Sequence, residues 1–338
     1  MKKYYILCPH NVISGGPETL HTFVSTINDL GYEGYIVYSN RKMTPINEYS
    51  MYNIKVIDKI DDNENNVLFV PEVLTDYLFK YKKIKKVIIF LSVKFYENSR
   101  FDYIKENYKN KYKLLCLPSI ILKVFLKLKK AGFNSKKIDF ANQDFFYTVN
   151  GEINRQYLKK LGVMDERIYH LCGPLNVEFF KQNESINKED IIVYNPKKGY
   201  EFTKQIIDSF NQKFNYAKFI KIENMKPNEV HNLLKRAKLY IDFGFHPGPE
   251  RIPREAVISR CNIITSNLGS ASNDIDIPIP RKYKFSCDKQ NVDQIVDLMN
   301  AMLKNYSLYI NDFDEFRDKI LKQPFEIIED TKKILREI

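Results

Sequence analysis

Short apolar runs alternate with amphipathic helical patterns along the chain, and this alternation constrains the fold more than any other feature. The apolar runs have the length of buried strands, and they lie at 4–7, 35–38, 67–70, 87–91, 114–116, 146–149, 191–194, 218–222, 239–242 and 262–266. Helical patterns lie between them, at 17–30, 74–82, 120–130, 201–212, 227–236, 252–260 and 292–303. Such alternation predicts an α/β fold in which helices cover both faces of a parallel sheet.

The alternation runs twice, which predicts two Rossmann-like, doubly wound domains that face a cleft. Residues 182–190 are polar and have no apolar period, as expected of a linker. We therefore expect a first domain at 1–180 and a second at 181–322. The last segment, 323–338, carries an amphipathic helical pattern that either closes the second domain or crosses back to the first. The length of 338 residues agrees with two domains of roughly 150 residues each.

Composition excludes several classes of protein. Hydrophobic residues make up 44% of the chain and charged residues 28%, which excludes wholesale disorder. No apolar stretch reaches the roughly 18 residues of a membrane-spanning helix, and the N-terminus reads as a strand and not as a signal peptide. The cysteines are odd in number and never form Cys-x-x-Cys, so we expect a cytoplasmic protein without a disulfide framework or a zinc site. They are Cys8, Cys116, Cys172, Cys261 and Cys287.

A net charge of +11 predicts an acidic partner: nucleic acid, anionic lipid or a phosphorylated ligand. Tyrosine and lysine interleave within 101–113, but no recognised nucleic-acid motif is present, so we expect no nucleic-acid partner. In the helical pattern at 120–130, Lys123, Lys127 and Lys130 share one face. That arrangement fits either peripheral docking on an anionic membrane surface or a core helix with one solvated stripe.

Ligands of open parallel sheets bind beyond the carboxyl ends of the strands, so the loops after strands are the places to look for chemistry. The loop after the first predicted strand contains His10 and then Gly15 and Gly16 at a helix start. The glycines would let a ligand approach the backbone, and a helix start suits an anion. An ordinary strand-to-helix turn explains the same pattern.

A second loop follows the first strand of the second domain and contains Asn195, Lys197, Lys198 and Gly199. A phosphate at the start of the next helix would meet both the helix dipole and a lysine. The spacing is not that of a Walker loop, and a plain basic turn is the alternative interpretation.

The third loop, at 242–256, is the richest in unusual residues. Prolines and glycines alternate before a helix start and predict a rigid loop, which a preorganised site requires. The helix start carries Glu250, Arg251, Arg254 and Glu255. Arginine forks onto phosphate oxygens, and a carboxylate accepts hydrogen bonds from ribose hydroxyls. Alternatively, Glu250 and Arg254 form a structural i,i+4 pair.

Three further histidines have no partner at the spacing of a metal site or a catalytic triad, and we interpret them as structural or solvent-exposed. They are His21, His170 and His231. None of the three loops contains Asp-x-Asp, the usual metal anchor of nucleotide-sugar enzymes.

Residues 252–269 resemble the donor-site helix and following strand of the GT-B glycosyltransferases, above all family 4. The family pattern is Leu-Pro-x-x-Glu-Ala, a turn of small residues, and a strand ending in Ser-Asn-x-Gly. This chain has Ile252-Pro253-Arg254-Glu255-Ala256 and Ser266-Asn267-Leu268-Gly269. Lys198-Gly199 resembles the diphosphate-binding Lys-Gly of the family, and Gly15-Gly16 its glycine-rich first loop. Residues 154–176 resemble the end of the first domain of the family.

The resemblance implies a nucleotide-sugar donor on the second domain and an acceptor on the first. It places the donor ribose at Glu255 and the diphosphate at Lys198. The donor-binding set is Gly16, Asn195, Lys197, Lys198, Gly248, Arg251, Arg254, Glu255 and Ser266. His10 and Gly15 are assigned to the acceptor side. Pro247 replaces a glutamate of the family eight residues before Glu255, and we assign catalysis to its neighbours His246 and Glu250.

The resemblance implies a metal-independent glycosyltransferase, of hexosyltransferase type, for a surface or capsular polysaccharide. The acceptor would be a glycan or a lipid-linked glycan, and no cofactor or metal is expected. A retaining mechanism follows from the resemblance, although the usual histidine of the first domain is not evident at 91–95. The alternatives are a nucleotide-sugar epimerase on the same scaffold and a non-catalytic GT-B-like binding subunit.

Overall fold

A computed structural model gives the structure of the protein at residues 1–10, 12–40, 44–45, 47–100, 136–181 and 187–338. It divides into two compact units, Met1–Gly173 with Phe325–Ile338, and Pro174–Pro324. The first unit thus ends before residue 180, where the sequence places the boundary. Among the described residues, no helix is both long and apolar enough to cross a membrane.

The first unit is built on seven parallel strands in the order β3-β2-β1-β4-β5-β6-β7. The strands are β1 Lys3–Cys8, β2 Glu33–Tyr38, β3 Lys55–Val56, β4 Val67–Pro71, β5 Lys85–Phe90, β6 Phe145–Val149 and β7 Ile168–His170. The described α-helices before the second unit are α1 Gly15–Asp29, α2 Val93–Ser99 and α3 Glu152–Lys160. Every residue of β4 is buried, as expected when helices cover both faces of a parallel sheet.

The second unit contains five parallel strands in the order β12-β11-β10-β8-β9. They are β8 Glu189–Tyr194, β9 Lys218–Lys221, β10 Ala237–Asp242, β11 Asn262–Ser266 and β12 Lys284–Phe285. The helices are α4 Tyr200–Lys213, α5 Pro227–Arg236, α6 Arg251–Ile258, α7 Val292–Lys304, α8 Tyr306–Tyr309 and α9 Asp314–Glu337. The order reverses between β8 and β10, and such a switch point opens a crevice at the carboxyl ends of the strands.

The structure confirms the α/β class and the two parallel sheets. The predicted helix at 74–82 is instead a 3₁₀ helix, Glu72–Lys80, with a kink at Leu74. The predicted strand at 114–116, the predicted helix at 120–130 and the stretch 101–113 lie outside the described residues. The cleft between the two domains stays a prediction.

The last helix, α9, contains Pro324, and the residues after it belong to the first unit. Ile327, Ile334 and Leu335 are buried in the apolar cluster that includes Ile6 of β1. Full burial of one such side chain stabilises a fold by about 1.5–3 kcal/mol. The end of α9 is therefore an integral part of the core of the first unit.

Candidate functional site

The site lies where β8 and β10 run side by side in the second unit. The two strands are parallel, with Tyr194 paired to Ile241 near their carboxyl ends. The loop after β8 and the loop after β10 therefore leave the sheet at the same edge, at its switch point. This topology brings together two loops that are about fifty positions apart in the sequence.

Lys198 connects the two loops through its side-chain ammonium. Lys198 Nζ lies 3.3 Å from Asp242 Oδ2 and 3.3 Å from Glu250 Oε2. The Lys198 side chain is only 19% exposed, and that of Asp242 is fully buried. Two carboxylates thus fix one cation at the rim of the crevice, in the position that the sequence assigns to the diphosphate.

Two glycines allow the loops to touch. Gly199 has φ +64°, and a Cβ there would lie 2.4 Å from the carbonyl oxygen of Phe243. A Cβ on Gly244 would lie 2.4 Å from Lys198 Cγ, so the lysine stem crosses Gly244. Only glycine takes the left-handed conformation without cost. The sequence resemblance drew attention to Gly199 but not to Gly244.

Asn195 and Lys197 shape the turn that precedes Lys198. Asn195 Oδ1 accepts a hydrogen bond from the Lys197 N–H at 3.0 Å, which is an Asx turn. Lys197 is exposed to solvent. Both were predicted to bind the donor, and that role stays a prediction.

Asp242 is a site residue that the sequence reasoning missed. Its Oδ2 accepts a hydrogen bond from the Tyr240 hydroxyl at 2.9 Å, and its Oδ1 accepts one from the Gly244 N–H at 3.1 Å. Burial, and then the neighbouring Asp242 carboxylate, raise the pKa of Tyr240, so the phenol stays protonated and keeps donating. The available signal was a carboxylate that ends an otherwise apolar strand.

His246 is fully buried, and its Nε2 lies 3.7 Å from Asp242 Oδ1. Within the described residues, neither ring nitrogen has a hydrogen-bond partner. Burial lowers the pKa of His246 to about 4, Asp242 opposes this shift, and Lys198 adds to it. The imidazole is therefore neutral at pH 7, with one nitrogen that donates and one that accepts.

Glu250 begins α6 as its N-cap residue. Burial is the main cause that raises the pKa of Glu250; Lys198 opposes the rise, and Asp242 adds to it. A negative charge bound nearby would raise the pKa of Glu250 further. Glu250 is thus a partly buried carboxyl group beside Lys198 whose pKa responds to the charges around it.

Serine hydroxyls hold the loop after β10 in place. Ser266 Oγ donates to the Gly244 carbonyl at 2.5 Å, and Ser270 Oγ donates to the Gly248 carbonyl at 2.7 Å. Gly269, at φ +67°, lies so close to His246 that a Cβ would meet the His246 carbonyl oxygen at 2.0 Å. Ser266 and Gly248 were predicted as donor-binding residues, and here they fix the shape of the loop. Their contact with a donor stays a prediction.

The two predicted arginines have different partners. Arg254 donates to the carbonyl oxygens of Pro249 and Glu250, both at 3.2 Å, and to Gln323 Oε1 at 3.1 Å. It therefore braces the loop against α9. Arg251 pairs with Glu255, one turn later on α6, at 3.0 Å.

Glu255 is the residue that the resemblance assigns to the ribose. Its side chain is only 7% exposed, and Arg251 occupies one of its carboxylate oxygens. The pair fits a purely structural i,i+4 contact. It also fits a ribose-binding role of Glu255, because the arginine would hold the carboxylate in a fixed direction.

The predicted acceptor-side residues and Gly16 lie in the first unit, at the carboxyl end of β1. Gly15 and Gly16 begin α1, and a Cβ on Gly16 would be in ordinary contact with Leu91, at 3.6 Å. His10 Nε2 lies 3.3 Å from the Thr44 carbonyl oxygen, and its ring packs edge-on against Tyr38. The second unit thus holds the other predicted donor-site residues, and the first unit holds these three.

Glu72 is a second residue that sequence reasoning missed. It directly follows β4, beside the switch point between β1 and β4, and is buried. One of its carboxylate oxygens accepts a hydrogen bond from the Leu91 N–H at 3.3 Å. Burial raises the pKa of Glu72 to about 7 although backbone N–H groups pull it down.

Comparison with known proteins supports the fold. Comparisons with protein-family models and with curated protein sequences found no match. Among solved structures, the chain is similar to sucrose-phosphate synthase from Thermosynechococcus elongatus, with a TM-score of 0.62 and 10% identity over 100% of this chain and 99% of that one. It is also similar to HepE from Anabaena in complex with UDP, with a TM-score of 0.57 and 9% identity over 99% of this chain and 98% of that one.

A third similar structure is a TarM variant from S. aureus in complex with fondaparinux, α-GlcNAc-glycerol and UDP. The TM-score is 0.55 and the identity 14%, over 82% of this chain and 57% of the TarM chain. This chain therefore spans little more than half of the length of TarM. The solved structures named here are glycosyltransferases of the GT-B class, and the likeness shows that this chain has their two-unit fold. Membership of family 4 stays a prediction.

Proposed function

We propose that the protein is a glycosyltransferase that moves a sugar from a nucleotide-sugar donor to a glycan or lipid-linked acceptor. One observation carries the proposal: Lys198 is fixed between Asp242 and Glu250 at the switch point of the second unit, directly before the start of α4. A diphosphate at this place would meet an ammonium group and the unpaired N–H groups of a helix start. Solved structures of HepE contain UDP, UDP-glucose, or UDP and glucose.

The chemistry that this geometry supports is cleavage of a sugar–phosphate bond. Negative charge grows on the leaving diphosphate, and preorganised donors aimed at that charge lower the barrier. Lys198 and the first turn of α4 are such donors. Loss of one donor of this kind costs about 3 kcal/mol of transition-state stabilisation.

We propose that the transfer needs no metal ion. Lys198 Nζ lies 3.3 Å from each of two carboxyl groups, and we infer that it supplies the positive charge at the diphosphate that a divalent cation supplies in metal-dependent enzymes. None of the three candidate loops contains Asp-x-Asp, and where the motif occurs, Asp274 pairs with Lys284 and Asp312 with Lys282.

We assign Glu250 and His246 to the reacting sugar. The bound diphosphate adds negative charge beside Glu250, favours its protonated form, and makes it a donor to a phosphate or sugar oxygen. Neutral His246 is fully buried, and we assign it to the reacting sugar only because it lies in the same loop as Glu250. The sequence resemblance alone supports two further parts of the proposal: that the transferred sugar is a hexose and that its anomeric configuration is retained.

The biological setting that we propose is a cytoplasmic step in surface or capsular polysaccharide synthesis. The charge of +11 suits docking at an anionic membrane surface, where a lipid-linked acceptor would be found. No nucleic-acid partner is proposed.

The test is incubation of the protein with UDP- and GDP-sugars, with and without glycan acceptors, followed by chromatography of the products. A glycosyltransferase releases nucleoside diphosphate and forms a new glycoside only with an acceptor. An isomeric nucleotide-sugar formed without an acceptor would instead identify an epimerase. Nucleotide binding without any product would identify a binding subunit, and the absence of nucleotide binding would contradict the proposal altogether.

A further inference from the structure

Three side chains with metal-binding atoms converge in the first unit, and none of them belongs to the loops of the proposed donor site. His170 Nδ1 lies 2.8 Å from Asp330 Oδ2 and 3.7 Å from Glu326 Oε1. One ligand atom from each residue lies within 4.8 Å of the others. All three residues are partly buried, so water and an ion can reach them.

The fold brings this cluster together from distant parts of the sequence. His170 is the last residue of β7, whereas Glu326 and Asp330 follow Pro324 on α9. Glu326 and Asp330 are four residues apart, so they share one face of the helix. Asp330 Oδ2 also accepts a hydrogen bond from the Cys172 N–H at 2.8 Å, which orients the carboxylate as an outer-shell partner orients a metal ligand.

We propose that His170, Glu326 and Asp330 bind one divalent transition-metal ion, Zn²⁺ by the chemistry of the ligands. One imidazole and two carboxylates are ligands that Zn²⁺ accepts, whereas Ca²⁺ and Mg²⁺ prefer oxygen ligands alone. Around a tetrahedral Zn²⁺, neighbouring ligand atoms are about 3.4 Å apart. The 3.7 Å separation already fits this geometry, and the 2.8 Å pair needs only a small opening of the side chains.

The ion would join the end of β7 to α9. Two carboxylates with a neutral imidazole carry a charge of −2, which a divalent cation balances. The proposal is independent of glycosyl transfer, because its residues are outside the proposed donor site. The competing explanation is an ion pair between protonated His170 and the two carboxylates, which needs no metal.

Isothermal titration of the chelator-treated full chain with Zn²⁺ tests the proposal. We expect one saturable equivalent, with binding at least tenfold weaker in Glu326→Gln and in His170→Gln. Glu329→Gln is the matched control, because Glu329 lies on the same helix, is 71% exposed and pairs with Lys332. It should bind Zn²⁺ like the wild type. No saturable equivalent in the wild type, or unchanged affinity in Glu326→Gln, would overturn the proposal.

A second measurement keeps the test independent of any variant that folds poorly. Co²⁺ bound to the wild-type chain should give the visible bands of a nitrogen–oxygen site without a thiolate charge-transfer band. A thiolate band would show that a cysteine site binds the metal and would overturn the proposal. Zn²⁺ should also displace the Co²⁺ bands and raise the Tm of the wild type but not of Glu326→Gln.

Discussion

Gly199 lies so close to Phe243 that a Cβ at Gly199 would be 2.4 Å from the Phe243 carbonyl oxygen. This contact holds the loop after β8 against the loop after β10, and the position of Lys198 depends on it.

We expect Gly199→Ala to destabilise the second unit and to weaken nucleotide binding. The left-handed backbone alone costs a non-glycine residue about 1–2 kcal/mol, and the clash with Phe243 adds to this cost. Gly162→Ala is the matched control, because Gly162 also has positive φ but open space where a Cβ would be. Urea unfolding should show a larger loss for Gly199→Ala; equal losses would contradict the close contact.

Arg254→Met should lower stability by about 2 kcal/mol, since it removes three hydrogen bonds of a buried guanidinium. It should also weaken UDP binding, because the loop that carries Glu250 loses its brace. The control is Arg281→Met, whose side chain is 87% exposed and should hardly affect unfolding. Wild-type stability in Arg254→Met would show that the brace is unimportant.

The variant Glu255→Gln distinguishes a ribose-binding role of Glu255 from a purely structural pairing with Arg251. If Glu255 binds the ribose, UDP affinity falls by about tenfold, which corresponds to about 1.4 kcal/mol. Arg251→Met should then lower affinity less than Glu255→Gln, as measured by titration calorimetry. Equal effects of both variants on unfolding, with UDP affinity unchanged in Glu255→Gln, would assign the pair to structure alone.

Glu72 predicts a pH dependence of stability. Because the folded state raises its pKa to about 7, the folded protein binds the proton more tightly than the unfolded chain does. Its contribution is therefore fully present at low pH and is lost as the pH rises towards 7 and above.

Glu72→Gln should abolish this pH-dependent loss of unfolding free energy, which is about 3 kcal/mol. Urea midpoints across this pH range measure it, with the exposed Glu64→Gln as the control that keeps the dependence of the wild type. A Glu72→Gln variant with an unchanged pH profile would show that the carboxyl group of Glu72 does not titrate near neutrality.

The sequence predicted most strands of the two sheets because runs such as 67–70 have the length of a buried strand and alternate with helical patterns. It missed β3 and β12, which have two residues each, and β7, which has three; such strands are too short to show a period. The charged partners were harder to predict. Asp242 ends a buried strand and Glu72 directly follows one. Neither position is marked by a recognisable residue spacing.

Long-range partners were beyond local patterns altogether. His170 had no partner at metal-site spacing, yet the fold brings Asp330 to it across 160 positions. Arg254 was predicted to bind the donor, and that stays a prediction; its contacts with backbone carbonyls are ones that no residue pattern encodes. The resemblance nevertheless selected Lys198, the residue at the centre of the site.

The central claim is that Lys198 binds the donor diphosphate without a metal ion. Titration calorimetry with UDP and GDP, in the presence of EDTA, compares the wild type with Lys198→Ala and with Lys197→Ala, an exposed neighbour of the same charge. The account predicts that at least one nucleotide binds the wild type, that Lys198→Ala weakens this binding tenfold or more, and that Lys197→Ala changes it little. Equal affinity in the wild type and Lys198→Ala, or binding that requires magnesium or manganese, would contradict it.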